Sequence, residues 1–255
     1  MPGVNQMNHF FVDPADIRDD LVIIRGQDVK HITRSLRLSS GDKITVADGL
    51  ENKYLVELTS TNNQLVEGQI IKRLEVDAET DIEVTLLQGL PKSKKMDMIV
   101  RKCTELGIKR VIPMETAHTV VKLKASKAKR RQKRWQKIAK SAAKQSKRTQ
   151  IPRVAEVLDY QQGLDLVEDY DLALIPWVGE EKQGLREVIG DHNSANIDNI
   201  LVIIGPEGGF SPAEIEFAGD KGVEPVMLGP RTLRTETAGL AALTMLLYEL
   251  GDLGG

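Results

Sequence analysis

The sequence predicts an α/β protein, with a domain on a mostly parallel sheet preceded by a small β-rich domain. Three observations carry the prediction. From residue 82 onward, apolar strand runs alternate with helical periodicities. Up to about residue 75, short strands dominate around one helical stretch. Between them lies an acidic, polar segment, EVDAETD (75–81), and the domains are accordingly read as 1–75 and 76–255. At 255 residues the chain is long enough to bury a substantial core in each.

In chain order, DVKHITRSLRL (28–38) predicts a short helix ahead of Gly41. KITVAD (43–48), the Asp48-Gly49 turn signal and KYLVELT (53–59) predict a hairpin, and Asn62-Asn63 turns into QLVEGQIIKRLEV. Strands this short with a single helix suggest a small barrel. IEVTLLQGL (82–90) reads as a buried strand. Met96, Ile99, Val100, Cys103 and Leu106 then keep helical spacing up to Gly107, and KRVIPM (109–114) is the next strand. Trp135, Ile138, Ala139 and Ala142 form an i, i+3, i+4, i+7 stripe, the buried face of an amphipathic helix. DLALIPW (171–177), NILVIIG (199–205) and VEPVMLG (223–229) supply the last three strands. Ser211-Pro212-Ala213-Glu214 is a complete helix start, with Ser as N-cap, Pro at the first position and Glu closing a capping box. The final helix is read from about Glu236, capped by Thr235, to a stop at Gly251.

The net charge of −2 conceals an asymmetry. No Asp or Glu lies between Glu115 and Glu156, an interval that holds 14 of the 35 basic residues. The exposed face of the helix in this basic segment is then a dense cationic strip, which suits a polyanion. No apolar run approaches the roughly 20 residues of a membrane span, and the N-terminus lacks a signal pattern. Cys103 is the only cysteine and sits on an apolar stripe, so it reads as core; His9, His31, His118 and His192 are scattered without ligand spacing. A cytoplasmic protein without a metal or a membrane partner is expected.

Chemistry concentrates in two glycine-bearing turns, GPEGG (205–209) and LGPRTLRTETA (228–238), which follow the last two strands on the same side of the sheet. DLALIPWVGE (171–180) would add a third loop. Neither GxxxxGK[ST] nor GxGxxG is present, and Glu207 would repel a phosphate, so a neutral or cationic ligand fits better.

IIGPEGGFSPAEIE followed by VMLGPRTLRTETAGLAAL closely resembles the C-terminal signature of the RsmE family, bacterial ribosomal-RNA uridine-N3 methyltransferases of the SPOUT superfamily. The likeness extends to LPKSKKMDMIVRKCTELGIKRVIPM and to HITRSLRLSSGDKITVADG, and so covers nearly the whole chain. The resemblance implies an N-terminal PUA-like β-barrel, a C-terminal parallel sheet tied in a deep trefoil knot, S-adenosylmethionine as cofactor and a homodimer. The implied substrate is a uridine N3 in 16S ribosomal RNA, free or in the small ribosomal subunit. Cofactor binding carries over to Gly205, Glu207, Gly208, Gly209, Leu228, Gly229, Leu233, Thr237 and Ala238. The chain departs from the family at His118 (an Arg elsewhere), at Ser141 and Lys144 (acidic elsewhere) and at Thr232 (hydrophobic elsewhere), and none of these is expected to touch the GPEGG turn.

Uridine N3 is protonated at neutral pH, so a methyltransferase needs a base or a cation to stabilise charge spreading onto the flanking carbonyl oxygens. Arg234 is the candidate cation; Glu207 and Glu236 are the candidate bases. Arg34, Arg37, Lys92, Arg134, Lys140, Lys144 and Arg148 are the candidate RNA contacts. The competing readings are a SPOUT ribose 2′-O-methyltransferase and a non-catalytic RNA-binding assembly factor; the intact cofactor turns speak against the latter.

Overall fold

In the computed structural model the described residues are 7–76, 78–177, 183–192 and 197–254. The chain forms two compact units, 1–79 with 143–151, and 80–142 with 152–255. The first unit therefore ends four residues beyond the expected boundary at 75. It also takes in a short segment that sequence alone assigns to the second domain.

The first unit holds β1 (His9–Phe11), β2 (Ile17–Arg18), β3 (Leu21–Arg25), β4 (Lys43–Ala47), β5 (Lys53–Thr61) and β6 (Leu65–Leu74). They form one sheet in the order β1-β4-β5-β6-β3-β2, antiparallel except for β1 on β4. The expected 28–38 helix is one α-turn, α1 (Gln27–Lys30), running into a π-turn over His31–Ser35. Phe10, Val22, Ile24, Ile32, Ile44, Val56 and Leu58 make the core. The Asp48 carboxylate collects the N–H groups of Leu50, Glu51 and Asn52, which shapes the hairpin turn expected there.

Residues 143–151 are locked into this unit by Glu79. Its carboxylate accepts from the Arg148 guanidinium at 2.7 Å and from the backbone N–H groups of Thr149 and Gln150 at 2.7 and 2.9 Å. His9, buried at 5% exposure, accepts or donates at both ring nitrogens. Nε2 lies 3.0 Å from the Arg148 carbonyl and so carries the proton; Nδ1 lies 3.1 Å from the Thr45 hydroxyl. Burial, reinforced by the Lys53 charge, pushes its pKa down to about 4. Between pH 6.5 and 4 the unfolded chain therefore binds a proton that the folded chain refuses. His9 thus contributes a loss of stability, of order 3 kcal/mol, as the pH falls through that window. A thermal-melt series is expected to show Tm falling between pH 6.5 and 5, with a shallower slope in His9→Gln.

The second unit holds β7 (Glu83–Gly89), β8 (Arg110–Glu115), β9 (Arg153–Val154), β10 (Leu158–Asp159), β11 (Leu172–Pro176), β12 (Asn199–Ile204) and β13 (Glu224–Val226). Every described pairing among them is parallel, in the order β10-β8-β7-β12-β11-β13 with β9 on β8. The runs are continuously apolar because both faces are covered. Ile200, Val202 and Ile204 face a core with α2 (Lys95–Leu106), α3 (Ala125–Gln145) and α7 (Thr235–Glu249). Leu201 and Ile203 face the opposite core with α4 (Tyr160–Leu164) and α6 (Pro212–Asp220). A short α5 (Leu185–Asp191) joins the first of these cores.

The local signals account for the element ends. α2 stops at Gly107 in the left-handed region, φ 112°. α6 starts on the full Ser211–Glu214 capping box with Pro212 in its first turn. Trp135, Ala139 and Ala142 on α3 are buried as their spacing predicts. Cys103 is wholly buried and its thiol is pushed up to about 12, a core residue and no nucleophile. The last helix starts one residue earlier than expected: Arg234 is the N-cap and Thr235 is already helical. Thr235 does not cap because its hydroxyl donates to the Gly205 carbonyl at 2.6 Å and accepts from Gln88 Nε2 at 2.9 Å. That pair of bonds ties the ends of β7 and β12 to the start of α7.

Candidate active site

Parallel pairing puts the carboxyl ends of β7, β8, β11, β12 and β13 along one edge of the second sheet. Two adjoining cavities open there. The smaller, about 160 Å³, is walled by Val226–Leu233 and Ala238; the larger, about 590 Å³, by Ile204–Phe210, Lys95 and Thr232–Thr235. Pro176, Trp177, Thr232, Leu233 and Ala238 line both. The third loop expected at 171–180 thus contributes through Pro176 and Trp177, and its residues 178–180 lie outside the described residues.

The glycines of the two turns serve this opening. Gly209 and Gly229 sit at φ 67° and 124°, and a Cβ on either would meet nothing within 4 Å. Packing does not require glycine at these points; the backbone conformation does, and the wall stays bare for a ligand. The smaller cavity is largely apolar, lined by Trp177, Val226 and Leu228. Lys95 stands in the wall of the larger cavity, but Glu207, in the same wall, and Glu236 share its ammonium, so this lysine is already neutralised by carboxylates, unlike that of a phosphate site.

Of the expected cofactor residues, Gly205, Glu207, Gly208 and Gly209 line the larger cavity, Leu228 and Gly229 the smaller, and Leu233 and Ala238 both. Thr237 lines neither; its N–H closes the first turn of α7 on Arg234. Arg234 is exposed, lines the larger cavity and has no ion pair among the described residues.

Sequence reasoning missed Lys95. Its ammonium lies 3.0 Å from Glu207 and 3.0 Å from Glu236, joining the two carboxylates. Glu207 also accepts the Lys92 backbone N–H at 3.1 Å. Burial tends to raise the Glu207 pKa, but the bonds from Lys95 and from backbone N–H groups outweigh it and hold the carboxyl below its ordinary value. Glu236 is held low against burial by its own backbone N–H, Lys95 and the Arg234 charge. Pairing with one shared cation and the lowered pKa values speak against the expected role of these glutamates as bases. The signal for Lys95 was its place one residue before Met96 and four before Ile99, at the margin of the buried face of α2.

His118 also departs from expectation. Far from standing clear of the GPEGG turn, its Nδ1 lies 2.9 Å from the Gly208 carbonyl. A Cβ on Gly208 would come within 2.8 Å of the His118 Cβ, so glycine here permits a close approach. Thr232 is exposed in the wall common to both cavities.

The expected RNA contacts divide. Arg34, Arg37, Lys92 and Lys140 have exposed side chains. Arg134 is exposed but bidentate on Asp97, at 3.2 and 2.6 Å. Lys144 pairs with Asp28 at 2.6 Å and stands 3.9 Å above the Phe10 ring. Arg148 is 3% exposed and is held by Glu79. Lys144 and Arg148 are thus engaged by carboxylates of the first unit, which speaks against their expected role as RNA contacts. Among the described residues no group of His, Cys, Asp or Glu could hold a metal ion, and no helix is long and apolar enough to cross a membrane.

Comparison with known proteins agrees with this geometry. The sequence matches the RNA methyltransferase domain family over residues 78–247 and the RNA methyltransferase PUA domain family over residues 24–71. It is 39% identical to "Ribosomal RNA small subunit methyltransferase E" of Bacillus subtilis over 91% of each chain. The fold is similar to that of a Neisseria gonorrhoeae ribosomal RNA small subunit methyltransferase E bound to S-adenosyl methionine, with TM-score 0.86, 29% identity and coverage of 98% of this chain and 100% of that one. A Legionella pneumophila putative methyltransferase, also in complex with S-adenosylmethionine, aligns with TM-score 0.82, 28% identity and coverage of 95% and 98%.

The two family matches, over a parallel-sheet unit with cavities at its carboxyl edge and over the β-rich unit before it, make the chain an RNA methyltransferase. The chain belongs to the ribosomal RNA small subunit methyltransferase E family.

Proposed function

We propose that this protein transfers a methyl group from S-adenosylmethionine to N3 of a uridine in 16S ribosomal RNA. The observation that carries this reading is the pair of adjoining cavities between the two glycine turns. The smaller lobe is mostly apolar and the lysine of the larger is taken up by Glu207 and Glu236, which suits a phosphate-free nucleoside with a cationic centre.

Leu228, Leu233, Ala238 and the Gly229 backbone would hold the nucleoside portion, and the 205–209 turn the rest. Bound there, the cofactor supplies an electrophilic methyl carbon on a sulfonium. Lys95 and the Lys92 N–H fix Glu207, and through it the turn; Lys95 fixes Glu236 at the start of α7. Arg234 stabilises the negative charge that spreads over the uracil carbonyl oxygens as the N3 proton leaves. With both glutamates committed to Lys95, this charge stabilisation is the main assistance the chain gives to deprotonation.

The family resemblance supports three further parts of the reading: a trefoil knot in the second unit, a homodimer and a cytoplasmic location. A calorimetric titration tests the cofactor. Saturable binding of S-adenosylmethionine, displaced by S-adenosylhomocysteine and indifferent to ATP, is expected; tight ATP binding in its place would contradict the reading.

A further inference from the structure

Outside the cofactor cavities, the second unit carries a third and larger hollow, about 930 Å³, between the start of α2 and the middle of α3. Lys94 and Arg101 stand on the α2 side; Arg130, Arg131, Lys133 and Lys137 stand on the α3 side. None of the six has an ion pair among the described residues, and all but the half-buried Arg131 are exposed. Asp97 is the one acid in the lining, and it is already neutralised by Arg134 at 2.6 Å. That pair ties α2 to α3. Beneath the hollow lie Met96 and Trp135, both buried in the core, and the half-buried Ile138.

The hollow shares a wall with the cofactor site. Pro91, Ser93 and Lys94 line it, while the Lys92 N–H and the Lys95 ammonium, in the same five residues, hold Glu207 of the cofactor turn. One segment, 91–95, thus separates a cationic groove from the methyl-donor cavity.

We propose that this groove binds the RNA strand flanking the target nucleotide, gripping its phosphodiester backbone from both helices and leading it over 91–95 to the cofactor site. The proposal rests on the RNA methyltransferase reading and narrows it to a place. Two facing rows of cations without a described ion pair match the phosphodiester backbone of a polyanionic strand. A flat solvated helix face would have one row. The groove also differs from the basic helix taken as a whole. Lys144 and Arg148 are committed to carboxylates, whereas Lys122, Lys127 and Lys129 are exposed but line no part of it.

That difference supplies the test. Two triple variants remove the same charge: Arg101→Gln/Lys133→Gln/Lys137→Gln in the groove, and Lys122→Gln/Lys127→Gln/Lys129→Gln outside it. Affinity for an unmodified small-subunit ribosomal RNA transcript is measured against salt, alongside Tm and S-adenosylmethionine affinity. The groove triple is expected to raise the RNA Kd more than tenfold at about 0.1 M salt. It should also flatten the slope of log K against log salt by about 2, at about 0.7 for each lost phosphate contact. The outside triple should stay near wild type, with Tm and cofactor affinity unchanged in both. Equal losses in the two triples would reduce the groove to general electrostatics and overturn the proposal. Unchanged RNA binding by the groove triple would overturn it too. Because the readout is binding, it stands apart from catalysis. Wild-type protein that binds the transcript but transfers no methyl group would count against the proposed function, not the groove.

Discussion

Arg234→Ala is expected to lower kcat for methyl transfer by about 10²–10³-fold, the usual loss when one preorganised donor to a developing oxyanion is removed. Arg234 caps α7 through its backbone, and its side chain is exposed with no described ion pair. Removing the guanidinium therefore leaves no partner stranded, and Tm and S-adenosylmethionine affinity should be retained. Single-turnover kinetics with saturating cofactor separate the effect on chemistry from any effect on RNA binding. A full methylation rate in Arg234→Ala would remove Arg234 from the mechanism.

Lys95→Met is expected to act more broadly, weakening S-adenosylmethionine and slowing transfer, each by about tenfold or more, because the donor turn and the start of α7 lose the cation that positions them. In the wild type both carboxylates have depressed pKa values. The stability they contribute is present above their ordinary value, near 4.5, and is lost as pH falls through the lower folded value. The wild-type rate should accordingly show no titration of Glu207 or Glu236 between pH 6 and 8. In Lys95→Met, Glu236 keeps its burial and faces Glu207 with only Arg234 to offset it, so its pKa rises and an acid limb should enter the profile. Lys95→Arg should restore the flat profile. A profile and cofactor affinity in Lys95→Met equal to wild type would show that the three-residue cluster is incidental to function.

The strands and helices that were legible are those where local chemistry agrees with the fold; short ones such as β1, β9 and β10 carried no such signal. The Ser211–Glu214 box, the Gly107 stop and the Trp135–Ala142 stripe each name one element, and each element is there. The two glycine turns were legible as a site for a different reason: φ at Gly209 and Gly229 restricts the residue type, and parallel strands bring such turns to one edge. What the sequence hides is the commitment of charges across the fold. Lys144 and Arg148 belong to the same acid-free run as Lys133 and Lys137, yet Asp28 and Glu79, far away in sequence, claim the first two. Lys95 looks like any lysine in KSKK until the 205–209 turn and the start of α7 close on it. Thr235 was misplaced by one residue because the carbonyl it serves, Gly205, is thirty positions away.

The central claim is that these turns carry out methylation of a ribosomal uridine at N3. It is tested most directly by incubating the protein with labelled S-adenosylmethionine and unmodified small-subunit ribosomal RNA, digesting the RNA and identifying the labelled nucleoside. N3-methyluridine is the product expected. A 2′-O-methylated nucleoside, or RNA that binds and stays unlabelled, would contradict the claim.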